Sequence, residues 1–180
     1  VPLFKGISNC TIKDLTIDGN IVAIDDDLIV HTANFAAAVG VVASVVYTSN
    51  TNLNGTEYVN FENVTVNANL FYSTSEEVGI NVTAAAFVGG SPHYVKMSFI
   101  DCVNNGDVTL ELMKGTRTNG NEMMPSAAGF TGTCVHSTQY FENCVNNGDI
   151  KFSCYKYAQS NRYYNIAGIA ATNFGGGSFT

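Results

Sequence analysis

The only acidic cluster in the chain is Asp25-Asp26-Asp27, with His31 four positions further on. Three carboxylates and an imidazole in that arrangement could bind calcium, which takes several oxygen ligands. Successive residues of a strand point to opposite faces, so the three converge on one ion only if the chain turns there; otherwise they form a solvated loop. Glycoside hydrolysis needs two carboxylates held a set distance apart on a cleft wall. A polysaccharide lyase needs a base beside the abstracted proton as well. The two arginines, Arg117 and Arg162, lie in long loops and neither adjoins an Asp pair. His31, His93 and His136 are isolated, and no Ser-His-Asp or Cys-His spacing is recognisable, so no catalytic residue is expected.

Residues suited to binding are easier to find. Tyr155, Tyr157, Arg162, Tyr163 and Tyr164 fall within ten positions, and Tyr and Arg are the types enriched at interaction hot spots. Tyr also stacks on sugars; the plain alternative is that these side chains cover an edge. Four glycosylation sequons start at Asn9, Asn54, Asn63 and Asn81, a number that chance alone would give in so Asn- and Thr-rich a chain. Asn54, in a polar loop, is the best acceptor among them. A net charge of −7 with eight scattered Lys and Arg disfavours nucleic acid and anionic membrane as partners.

What must position these residues is a repeat. Phe99-Ile-Asp-Cys-Val-Asn-Asn-Gly-Asp-Val108 returns 42 residues later as Phe141-Glu-Asn-Cys-Val-Asn-Asn-Gly-Asp-Ile150. A decayed copy runs from Phe61 to Leu70, and Ile7-Ser-Asn-Cys10 reads as a more distant one. Between these Phe blocks stand Gly blocks: Val39–Ala43, Ala85–Gly89, Ala128–Gly132 and Ala167–Ala171. Alternation at such a period marks a stacked unit. The segments after the Phe blocks, Asp107–Leu112 and Asp149–Cys154, alternate apolar and polar residues. That places Val108, Leu110 and Leu112, and likewise Ile150, Phe152 and Cys154, on a buried face. The Gly blocks read as strands with little room for side chains. Asn105-Gly106 and Asn147-Gly148 would suit hairpin turns, which would give a sandwich of antiparallel strands, or left-handed bends at the corners of a solenoid.

Five cysteines without a Cys-x-x-Cys are neither a zinc pattern nor a dense disulfide scaffold. Cys102 and Cys144 occupy equivalent positions, about 4.8 Å apart if the copies stack. Their parallel side chains favour a thiol ladder, with a disulfide as the alternative. Cys134 and Cys154 share strand parity with Phe130 and Phe152 and are expected in the core. Phe141 and Cys144 are an odd number of positions apart, so both face inward only if the chain bends at Glu142-Asn143. In the other register Phe141, Asn143 and Val145 point in, and Asn9, Asn63, Asp101 and Asn143 form a polar ladder inside the stack.

The motifs resemble two families of microbial surface repeats. Phe141-Glu-Asn-Cys144 is similar to the Phe-x-x-Asn element of the chlamydial polymorphic membrane proteins, with Cys for the final Asn. Gly129-Phe-Thr-Gly132 and Ala86-Phe-Val-Gly89 resemble the small-residue element of those proteins and of the bacterial GLUG-type repeats. The resemblance implies a parallel β-helix on an extracellular surface, used as a stalk or for adhesion, and carries over no catalytic residue. Similar arrays occur in surface proteins of protozoan parasites.

The expectation is an all-β chain: a parallel β-helix (β-solenoid) of about four coils with inserted loops at 48–58, 114–126 and 155–164. Residues 1–180 would form one segment of a longer array, since Phe179 stands about where the next Phe block should begin. Its expected role is structural or adhesive, as a stalk or filament at the cell surface. Neighbouring repeats or subunits of the same protein, and glycans, would be its partners. A carbohydrate-binding or carbohydrate-cleaving β-helix is the alternative. No cofactor is expected apart from calcium at Asp25–Asp27.

Overall fold

The computed structural model describes residues 2–24, 37–46, 57–74, 82–91, 94–113, 125–154, 165–174 and 178–179. The described residues are strands, turns and bends, without a helix. The strands among the described residues all pair in parallel and belong to four sheets. The first sheet stacks β2 (Cys10–Ile17) on β6 (Tyr58–Val66), then β10 (Lys96–Ile100) with β11 (Val103–Asn104), then β15 (Thr138–Glu142) with β16 (Val145–Asn146), then β20 (Ser178–Phe179). The second runs β3 (Asn20–Ile24), β7 (Asn69–Thr74), β12 (Val108–Leu112), β17 (Ile150–Cys154). In the third, β4 (Ala37–Gly40) is followed by β8 (Val82–Ala85), β13 (Ser126–Ala128) and β18 (Asn165–Ala167). The fourth holds β1 (Phe4–Ile7), β5 (Ala43–Val46), β9 (Val88–Ser91), β14 (Thr131–Val135) and β19 (Ala170–Phe174). Each pass of the chain therefore adds one tier to every sheet, and four such tiers can be followed.

Parallel pairing removes the hairpin reading of the Asn-Gly pairs, since β11 and β12 bond to their counterparts in the next tier. The glycines do not supply left-handed bends either. Gly106 and Gly148 are needed because a Cβ on them would run into the carbonyl of Ala68 and of Gly106 in the tier below. The left-handed positions lie three residues into the Phe block: Asn63 (φ 53°), Asp101 (φ 52°) and Asn143 (φ 52°). Asn and Asp tolerate this conformation better than other residues with a side chain. The bend at Asn143 lets both Phe141 and Cys144 pack against the core, so the register with an inward Asn143 is overturned. Asn63, Asp101 and Asn143 are solvent-exposed.

The first tier corrects the letter match. Phe61 pairs with Ile12, not Ile7, so Ile12-Lys13-Asp14-Leu15 is the first copy, and Asp14 is left-handed like its counterparts (φ 52°). Asn9 is exposed and bends the preceding corner (φ 48°), where Tyr94 (φ 37°) and His136 (φ 50°) also take left-handed conformations. Phe179 pairs with Gln139, two positions before the Phe-block position. Successive tiers are offset by 49, 38 and 42 residues, so only the last pair keeps the period visible in the sequence. Each Gly block is two short strands across a tight corner, not one. A Cβ on Gly40 would meet the backbone of Ala43, Phe87 and Gly89, which is why the corner is built of small residues.

The inward faces of all four sheets share one core. Phe61, Phe99 and Phe141 stack at ring-centroid distances of 4.7 and 4.9 Å. Phe87 and Phe130, from the Gly blocks, stack at 4.4 Å and meet the first column edge-on at 5.7 to 5.9 Å. Such pairs add about 0.5–1.5 kcal/mol each beyond the area they bury. Val108, Leu110 and Leu112 are buried as the alternation predicts, and Ile150, Phe152 and Cys154 stack on them position for position.

Candidate functional site

Several sequence candidates lie outside the described residues: Asp25, Asp26, Asp27, His31, Asn54, Asn81, His93, Arg117, Tyr155, Tyr157, Arg162, Tyr163 and Tyr164. The strands nevertheless order the segments that carry most of them. Residues 25–36, 75–81, 114–124 and 155–164 each connect the second sheet to the third, so the Asp25–Asp27 cluster, the Asn81 sequon and the Tyr155–Tyr164 cluster join the fold at corresponding places in successive tiers. The segment 47–56, which holds Asn54, leaves from a different corner, between the fourth sheet and the first.

Among the described candidates, all five cysteines are thiols. Cys102 is buried and its Sγ lies 3.5 Å from the Phe61 carbonyl oxygen; Cys144 is half-buried and its Sγ lies 3.3 Å from that of Phe99. A hydrogen bond between the two thiols pulls them apart in acidity. It raises Cys102 above the usual thiol range, with burial acting the same way, and lowers Cys144. Cys144 is also the more accessible of the pair, since Cys102 is buried. Cys134 is fully buried in the core and pushed up to about 12 by that burial. Cys154 packs against the same core from the last tier. His136 stacks on Tyr94 with ring centroids 4.7 Å apart. Among the described residues no group of three or more His, Cys, Asp or Glu could hold a metal ion.

Polar ladders run through the stack, though not where the sequence placed them. On the outside, Asn147 Nδ2 donates to Asn105 Oδ1, Asn105 to Asn67 and Asn67 to Asp18, each at 2.8 Å. At the bend, Asn143 donates to Asp101 (3.1 Å) and Asn63 to Asp14 (2.9 Å). Within the Phe blocks the inward amides are Asn104 and Asn146, which the sequence reading missed. Asn104 is fully buried, donates to Asn146 Oδ1 at 2.7 Å and to the Gly106 carbonyl at 2.8 Å, and accepts from the Gly106 N–H at 3.2 Å. Its place in the repeat was visible; its direction was not, because the bend at Asp101 resets the alternation.

The second sheet presents a distinct outer surface. Asn20, Asn69, Asp107 and Asp149 form one outward column; Val22, Phe71, Thr109 and Lys151 form the next. Asn69 Nδ2 donates to Asn20 Oδ1 at 3.1 Å, and the backbone N–H groups of Asp107 and Asp149 donate at 2.9 Å to Asn69 Oδ1 and Asp107 Oδ1. Lys151 Nζ sits 3.2 Å from Asp107 and 3.3 Å from Asp149. The Asp149 backbone N–H and then Lys151 hold the Asp107 carboxyl below the usual carboxylate range, and the two aspartates raise Lys151. A groove of about 320 Å³ follows these columns over the first three tiers. Phe71 escaped notice in the sequence because it lies in the apolar run Leu70-Phe71-Tyr72, of which Leu70 and Tyr72 are the buried members.

No family model, no curated protein and no solved structure matches the chain. No helix among the described residues is long and apolar enough to cross a membrane.

Proposed function

We propose that the chain is a segment of a parallel β-solenoid that serves as an extracellular structural or adhesive scaffold. The observation that carries this reading is the four-tier amide ladder from Asn147 through Asn105 and Asn67 to Asp18, a side-chain network whose whole geometry depends on one tier lying on the next. Chains of hydrogen bonds that polarise one another rigidify what they connect. The two phenylalanine columns do the same inside. Support also comes from where the long connections fall: regular tiers supply length and stiffness, while segments that differ from tier to tier join at corresponding places, as insertions in solenoids commonly do when they build a binding face. The likeness of the Phe and Gly blocks to surface-protein repeats and the acidic, Asn-rich exterior agree with an extracellular setting.

The test is microscopy of the native, full-length protein together with antibody labelling of intact cells. The reading predicts a rod whose tiers are spaced by about 4.8 Å and labelling without permeabilisation. Antiparallel strands closed around a pocket, or labelling only after permeabilisation, would overturn it.

A further inference from the structure

From the outer face of the second sheet we infer that the groove over Asn20, Val22, Asn69, Phe71, Asp107 and Thr109 is a binding subsite for a neutral oligosaccharide running along the stack.

The argument starts from an apolar pair on the wrong side of a strand. Alternation sends Leu70 and Tyr72 into the core and leaves Phe71 outside, in direct register between Val22 and Thr109. Val22 is 57 % exposed and Phe71 is half-buried, and neither belongs to the core. Beside this apolar strip, two residues back along each strand, stands the carboxamide and carboxylate column of Asn20, Asn69 and Asp107. A half-exposed aromatic ring next to amide and carboxylate groups suits a sugar: its C–H groups contact the aromatic surface and its hydroxyls bond the polar column.

The column is held ready. Asn69 is tied to Asn20 below and to the Asp107 backbone above, so its carboxamide is oriented before any ligand arrives. Asn20 Nδ2 and the Thr109 hydroxyl take part in none of these bonds. The tier spacing of about 4.8 Å is close to the length of one sugar unit in an extended glycan, so a chain along the stack meets an equivalent residue at each unit. The groove, at 320 Å³, lies at the lower end of the range for small-ligand sites. Charge selects the ligand further. Asp107 remains ionised, Lys151 is held by Asp107 and Asp149, and the chain carries −7, which opposes anionic polysaccharides.

The inference rests on the adhesive part of the proposed function, and its failure can be told apart. Immobilised cello-, xylo-, manno- and chito-oligosaccharides are titrated with the full chain, with polygalacturonate and heparin as the anionic arm. Saturable binding of at least one neutral oligosaccharide is expected, weakened at least tenfold by Phe71→Ala and by Val22→Arg. The second variant places a long cation over the groove from an exposed position and does not disturb the core. Circular dichroism confirms that each variant is folded. Absence of binding to every neutral probe, preference for the anionic probes, or binding that survives both substitutions would each overturn the inference. A protein that forms rods on intact cells and binds no saccharide refutes this groove alone; one that forms no rod refutes the scaffold as well.

Discussion

Phe99 and Phe141 head two copies of one ten-residue block, yet Phe99 is completely buried and Phe141 is partly exposed. The same holds down the block: Cys102, Val108, Leu110 and Leu112 are buried, while Cys144, Ile150, Phe152 and Cys154 are half-buried. At the other end Ile12, Leu15 and Ile17 are also only partly buried against the core. The residue types are nearly the same; among the described residues Phe99 has a Phe-block tier on both sides and Phe141 on one, and burial follows that difference. Burial in a stack is a nearest-neighbour property, and so is the stability that each copy contributes.

The sharpest way to break that comparison is to truncate the two rings. Phe99→Ala should cost about 3–5 kcal/mol, because it opens a cavity between two stacked rings with edge contacts to two more. Phe141→Ala, whose ring is already half in water, should cost roughly half as much. Urea midpoints of the two variants measure this, and equal losses would contradict the nearest-neighbour account.

The buried amides offer a second contrast of the same kind. Asn104→Ala strands the N–H and carbonyl of Gly106 away from water, a loss of about 1–3 kcal/mol. Asn146→Ala frees the Gly148 carbonyl at a half-open corner, where water replaces the side chain, and takes one acceptor from Asn104, which keeps its bonds to Gly106, so the loss should be the smaller, about 1 kcal/mol. Thermal unfolding of both would show a lower melting temperature for the Asn104 variant.

Glycines sharpen it further. A Cβ on Gly129 would collide with the Gly168 carbonyl and the Asn146 side chain, so Gly129→Ala should destabilise by about 1–3 kcal/mol. At Gly168 the nearest atom is Asn146 Nδ2 at 4.0 Å, and Gly168→Ala should be neutral or stabilising by a few tenths of a kcal/mol.

The smallest effect is expected on the surface. The folded-state pKa of Asp107 is depressed, so its contribution is present above the ordinary carboxylate range and lost as the pH falls through the folded value. Asp107→Asn should therefore lower the urea midpoint slightly at neutral pH, and the gap from the parent should close in acid. The side chain is 44 % exposed, and solvent screening keeps the effect small.

The sequence by itself determined the strand alternation of Val108–Leu112 and Ile150–Cys154, the equivalence of Cys102 with Cys144, and an all-β chain. These follow from residue type at a spacing of two and from near-identity between two adjacent copies, and both survive without knowledge of neighbours. Tertiary structure alone decided the rest. It set the first copy at Ile12, where Ile and Leu stand for Phe and Cys and only Asp14 keeps the letter of its counterpart Asp101. A left-handed residue at Asp101 and Asn143 turned the block through a corner, which put Asn104 inside and the expected Asn143 ladder outside. Parallel pairing gave the Asn-Gly pairs their meaning, as places where the next backbone comes too close for a Cβ. Each of these depends on what lies one tier above or below, some 38 to 49 residues away, and no local pattern carries that information.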